Sequence, residues 1–272
     1  MNKINIIIPL HKFNDVVISY TRNAIKSIVN NIPTFNGELI TTIVCPEEVY
    51  KNLDEYIEIF KKETKYDNIN VIINNGDTDF CSQINYAVQN INEDYFSILE
   101  FDDEYAKNWF KMVQDYYYTN EDVSVFLPIN VQHNNDKTKW QFGNEIVWAS
   151  SFSNDIGYID FDCLQNCSTF NLTGGVFNRN DFIKIGMLKP SIKVAFNYEF
   201  LLRLTNNNLK VFVVPKEGYT HVIGREDSLT DIYNKTIQEE EIKKWFELAM
   251  REYPFTEDRK KGIVLNSEEV IK

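Results

Sequence analysis

The stretch Tyr95-Phe96-Ser97-Ile98-Leu99-Glu100-Phe101-Asp102-Asp103-Glu104 decides how the chain is read. Its first half has the composition of a buried strand. Its second half is a cluster of carboxylates. A strand that runs directly into acids delivers them, on a fixed backbone, to the end of a sheet. Toward the amino terminus the same alternation recurs. Residues 5–10, 39–44 and 69–73 are short Ile- and Val-rich runs closed by Pro9, Pro46 and the turn Asn74-Asn75-Gly76-Asp77. Between them, Val17, Tyr20, Ala24 and Ile28 recur at helical spacing, as do Val49, Leu53, Tyr56 and Phe60 within residues 47–64, and residues 80–90 read as a third helix. Four strand–helix alternations predict an α/β fold with a mostly parallel sheet flanked by helices. In such sheets ligands bind beyond the carboxyl ends of the strands, where the acidic cluster lies.

Toward the carboxyl terminus the pattern loosens. Helices are expected over 106–118, 181–186, 196–206 and 238–252, strands over 123–131, 141–150 and 210–214, the last ended by Pro215, and a polar loop over 133–139. Residues 155–167 show no clear period. No repeat or linker interrupts the chain, so residues 1–230 read as one domain and 231–272 as a helical extension packed on it.

Composition narrows the function. The chain of 272 residues carries 40 acidic and 28 basic side chains, a formal charge of -12, and no Lys/Arg run. Such a field repels nucleic acid, so no stable nucleic-acid binding is expected. An anionic phosphate ligand would need a local counter-charge, which a divalent cation supplies. The apolar run at 6–10 is too short for a signal or membrane segment, and no other run reaches 18 residues. Four cysteines do not make a disulfide scaffold, which fits a reducing cytoplasm. Cys163 and Cys167 lack a second Cys/His pair at zinc spacing.

Several residues carry candidate chemistry. Glu100, Asp102 and Asp103 offer the hard oxygens that Mg²⁺ or Mn²⁺ prefers, although acids are also favoured in a helix's first turn. Asn75-Gly76-Asp77, leading into a helix with Gln83 and Asn85, could turn amides toward a phosphate or ribose, as could an ordinary strand-to-helix turn. His221 can ligate a divalent metal, and Arg225 can pair with phosphate. Glu199, at a helix start, could act as general base. Thr173-Gly174-Gly175 lets the backbone approach something closely.

In order and spacing these features resemble the GT-A glycosyltransferases, in particular the large inverting (family 2-like) nucleotide-sugar transferases. Ile4-Asn5-Ile6-Ile7-Ile8-Pro9-Leu10 resembles the opening strand, Ala24-Ile25-Lys26-Ser27-Ile28 the first helix, and Gly76 through Asn85-Tyr86-Ala87 the stretch before the metal motif. Residues 95–103 resemble the strand bearing the Asp-x-Asp signature. Gly174 to Arg179, with Phe182, Ile185 and Gly186, resembles the acceptor-side segment, and residues 196–204 the helix that usually opens Glu-Asp. The resemblance spans roughly residues 4–214.

It implies a nucleoside diphosphate sugar donor and a hydroxyl acceptor on a glycan, lipid, protein or modified base. It implies a divalent cation held by Glu100, Asp102 and His221, and substrate contacts from Pro9, Leu10, His11, Asn75, Gly76, Asp77, Gln83, Asn85, Gly174, Gly175 and Arg225. Catalytic work falls to Glu199, Asn197 and Asp103. The chain also departs from the pattern. Glu100 replaces an Asp, Cys45-Pro46 replaces an acidic pair, and Asn197 stands six residues before Arg203, where the catalytic Asp is expected; an amide is no base at neutral pH. That last departure keeps open a non-catalytic sugar- or nucleotide-binding module of the same fold. A nucleotidyltransferase or a dinucleotide oxidoreductase is disfavoured, because no glycine-rich loop follows the first strand.

Overall fold

The computed structural model describes residues 1–134, 140–152, 155–223 and 239–253. Nine strands form one sheet: β1 (Lys3–Pro9), β2 (Glu38–Cys45), β3 (Ile69–Ile73), β4 (Tyr95–Ile98), β5 (Glu104–Tyr105), β6 (Val123–Asn134), β7 (Trp140–Gly143), β8 (Val176–Asn178) and β9 (Lys210–Ile223). The order across the sheet is β3-β2-β1-β4-β8-β6-β9-β5, with β7 hydrogen-bonded to β6. The β3-β2-β1-β4 half is parallel. β8 runs antiparallel to both β4 and β6, and β9 is parallel to β6. The helices are α1 (Asp15–Val29), α2 (Glu47–Thr64), α3 (Phe80–Asn90), α4 (Trp109–Tyr117), α5 (Phe161–Asn166), α6 (Arg179–Lys184), α7 (Phe196–Asn206) and α8 (Glu239–Glu252).

Period-two side chains in β1 build the core on both faces. Ile6 and Ile8 enter the apolar cluster shared with α1, α2 and α4, whereas Ile7 enters the one shared with α3 and α7. All three are fully buried, which stabilises by about 1.5–3 kcal/mol each. Polar side chains start the helices: Asn14 accepts from the Val17 amide at 2.9 Å, and Asp79 from the Ser82 amide at 3.1 Å.

The expected α/β architecture is what the structure has. Differences are local. Residues 141–150 are a short strand followed by a 3-10 helix over Glu145–Trp148, and 155–167 holds α5. β9 runs through Pro215 instead of stopping there. The β6–β9 register shifts between Leu127↔Val213 and Ile129↔Glu217, so Pro215 sits in an irregularity where no ladder amide is required. Of the proposed extension, α8 packs on α7, where Phe246 meets Tyr198; residues 231–238 and 254–272 lie outside the described residues.

The chain leaves β1 toward β2 and β3, then returns to β4 on the other side of β1. The carboxyl ends of β1 and β4 therefore lie at a topological switch point, the usual ligand position in open α/β sheets.

Candidate active site

Just past β4 the chain makes a tight turn in which the Asp103 amide donates to the Glu100 carbonyl at 3.1 Å. An i to i+3 turn sets its first and last residues side by side. Glu104 and Tyr105 then pair with Thr220 and Tyr219 of β9, bringing the turn against the strand that carries His221. His221 Nδ1 lies 2.7 Å from Asp103 Oδ2. Glu100, Asp103 and His221 each place one ligand atom within 4.8 Å of the others. The Asp103 carboxylate is wholly buried, and the His221 side chain is 18% exposed.

Burial opposes a charged imidazole at His221, yet the Asp103 charge, its hydrogen bond and the Glu100 charge outweigh it, so the pKa rises to about 9. Without a metal, the pair is a His⁺–carboxylate ion pair at neutral pH. Two carboxylates and an imidazole suit a divalent transition metal.

Sequence reasoning placed Glu100 and Asp102 on the metal and gave Asp103 a catalytic part. The structure gathers Glu100 and Asp103 instead. The sequence places the acids just past the strand, and the tight turn there sets position one beside position four. Asp102 is buried outside the group.

Tyr219, two residues before His221, was not singled out by sequence. Its hydroxyl accepts the Glu100 amide at 3.1 Å, and its ring covers Gly174, where an added Cβ would lie 2.5 Å from it at φ +79. The close approach that Gly174 permits is therefore to this ring. The Gly174 and Gly175 carbonyls accept from Trp109 Nε1 at 2.9 Å and Ser97 Oγ at 2.6 Å, and both glycines are buried.

Other expected substrate contacts stand in several places. Pro9 and Leu10 are buried at the end of β1, while His11 is exposed with its ring edge-on to Phe101 at 6.0 Å. Asn75, Gly76 and Asp77 are exposed on a loop held by Asn74, which accepts the Gly76 amide and donates to the Asp77 carbonyl, each at 3.0 Å. Gln83 donates to the Thr78 carbonyl at 2.9 Å. Asn85 clamps Leu188, donating to its carbonyl at 2.7 Å and accepting its amide at 3.0 Å. Arg225 lies outside the described residues.

Helix α7 buries the carboxylate that the sequence offered as a general base. Glu199 has no exposed surface and takes a two-pronged bond from Arg203, 3.0 Å from Nε and 2.8 Å from Nη2, with Lys189 Nζ also 3.0 Å away. Arg203 further donates to the Ile185 and Met187 carbonyls, both at 2.6 Å. Glu199 thus pins the loop leading into α7. Asn197, half-buried in the first turn of α7, stays near the surface.

A family model described as glycosyl transferase family 2 matches residues 6–181. No curated protein matches the chain significantly. Among solved structures, residues 1–349 of S. aureus TarS in complex with UDP-GlcNAc are similar at 14% identity and TM-score 0.64, covering 97% of this chain and 70% of that one. The corresponding complex with UDP gives 14% and 0.62, covering 96% and 69%. S. aureus TarS itself gives 15% and 0.56, covering 98% of this chain and 46% of that one. At such identities the likeness is one of fold.

Proposed function

The chain belongs to glycosyl transferase family 2, and on that premise we propose that it moves a sugar from a nucleoside diphosphate sugar, with a uridine diphosphate sugar as the first candidate, to an acceptor hydroxyl. The observation that carries this reading is the convergence of Glu100, Asp103 and His221 at the β1/β4 switch point. Support for the nucleotide comes from the complexes of TarS with UDP and UDP-GlcNAc.

Glu100, Asp103 and His221 would hold the cation. A divalent ion bound there supplies Lewis-acid stabilisation of charge on the departing diphosphate. The imidazole favours Mn²⁺ over Mg²⁺, which prefers an all-oxygen shell. In this acidic chain a bound cation would supply counter-charge to the diphosphate, so nucleotide binding is expected to depend on metal. Tyr219 fixes the turn from beneath through the Glu100 amide. Glu199 is a positioning residue for the start of α7, and Asn197 hydrogen-bonds at the acceptor side. We read the transfer as inverting, following the resemblance in sequence.

Asn197 and the ion-paired Glu199 leave that helix start without an available carboxylate base, which favours a second reading: a binding module for the same nucleotide sugar. One experiment separates them. Thermal unfolding is followed with UDP and UDP-sugars, with and without Mn²⁺, alongside slow release of UDP from the donor. A ligand at about 100 times its Kd stabilises by about 2.7 kcal/mol. Metal-dependent stabilisation, lost in Asp103→Ala, together with UDP release supports transfer. Stabilisation without release supports the module, and no metal-dependent effect with any nucleotide would overturn both.

A further inference from the structure

Strand register places a row of polar side chains beside the metal-ligand candidates. Asn130 of β6 is the register partner of Tyr219, and Gln132 that of His221. On the other edge of β6, Asn130 faces Gly143 and Gln132 faces Gln141 of β7. Register partners share a face of the sheet, and i, i+2 residues keep it. Tyr219 and His221 point at the acidic turn, so Asn130, Gln132 and Gln141 line the same side of the sheet.

Asn130 is the unusual member. It has no exposed surface, and neither its amide nitrogen nor its amide oxygen has a hydrogen-bond partner among the described residues. Buried polar groups are nearly always paired, and one that is not calls for an explanation. Gly143 beside it leaves room: an added Cβ would meet only Gln132 Nε2 at 3.4 Å and Asn130 Cβ at 3.6 Å. Gln132 and Gln141 bond to each other, and Gln141 is exposed.

A primary amide offers two donors and an acceptor without net charge. That matches a sugar hydroxyl, which both gives and takes a hydrogen bond, better than it matches a phosphate. The neighbouring β9 side chains, Tyr219 and His221, reach the turn where the diphosphate would be held, and adjacent strands lie about 4.8 Å apart. The group next to that diphosphate is the sugar.

We propose that Asn130, supported by Gln132 and Gln141, reads hydroxyl groups of the sugar carried on the donor diphosphate. This rests on the transfer reading above. On binding, the unpaired amide gains the partners it lacks.

The test uses the full chain with Mn²⁺ and measures calorimetric affinities for UDP, UDP-GlcNAc, UDP-glucose and UDP-galactose in wild type, Asn130→Leu and Gly143→Ala. The leucine is close to isosteric and removes the unpaired amide, so the ligand-free variant melts at or above the wild-type temperature. The alanine fills the space beside Asn130 without backbone strain. UDP affinity is expected to stay within twofold, while the preferred UDP-sugar weakens at least tenfold in both variants. An unchanged ratio of UDP-sugar to UDP affinity across the panel overturns the proposal, as does equal weakening of both. A wild-type chain that binds neither UDP nor any UDP-sugar overturns the transfer reading itself.

Discussion

Replacing Glu199 asks whether its carboxylate works as a base or as a strut. The side chain is fully buried and meets Arg203 through two bonds of 3.0 and 2.8 Å. Removing one partner of a buried ion pair typically costs about 3–5 kcal/mol, because the other charge stays behind uncompensated. Here Arg203 keeps two carbonyl acceptors, Ile185 and Met187, so Glu199→Gln should fall near the lower figure, about 3 kcal/mol. At about 2–4 °C per kcal/mol for a domain approaching this size, the melting temperature drops by about 6–12 °C. Arg203→Met should cost more, since it strands Glu199 with Lys189 alone and frees both carbonyls. The double variant Glu199→Gln/Arg203→Met should be less destabilised than the sum of its parts. Urea unfolding of the four proteins, with turnover measured where each is folded, decides the matter. A Glu199→Gln variant that loses turnover while keeping wild-type stability would refute the argument and return Glu199 to the role of base.

Asp103→Ala should abolish Mn²⁺ binding followed by electron paramagnetic resonance, whereas Asp102→Ala, outside the gathered group, should weaken it less than tenfold; the reverse order would restore the Asp-x-Asp reading. With chelator present, the His221 pKa, raised from 6.5 to about 9, gives a stabilisation complete below pH 6.5 and lost as pH rises through 9. At 1.36 kcal/mol per unit this amounts to about 3 kcal/mol at most, and His221→Gln should flatten that slope in pH-dependent melting. Gly174→Ala should unfold the protein or cost several kcal/mol, since its Cβ meets the Tyr219 ring and its φ is left-handed; wild-type stability would show that the ring can move. Burial pushes Cys45 up to about 11 and Cys163 up to about 12 and raises Cys81, so at pH 8 an aromatic disulfide reagent should titrate only the partly exposed Cys167 quickly and all four thiols after denaturation.

The amino-terminal half was legible in the sequence because each buried strand there is a dense Ile/Val run with its own stop signal. Helices α2 and α3 and strand β3 begin and end where periodicity put them. The site was legible in its members but not in its geometry. Glu100, Asp103 and His221 were all named, but which acids face each other depends on a backbone turn that a one-dimensional spacing cannot show. The Glu199–Arg203 pair left a readable trace, opposite charges four apart on a helix, though its complete burial did not. Tyr219 and Asn130 leave no mark of their own. Each gains its meaning from a neighbour distant in the chain or across a strand, Tyr219 from a contact 119 positions away.

That separation has a consequence for the order in which the protein is made. The acidic turn leaves the ribosome long before His221, which follows Asp103 by 118 positions, and the segment matched by the family model ends at residue 181, ahead of β9. A nascent or truncated chain stopping there holds the signature acids without the strand that completes the cluster. Were the cluster to hold a cation as proposed, capture would wait for synthesis of β9, and a half-made chain would lack one of the three ligands.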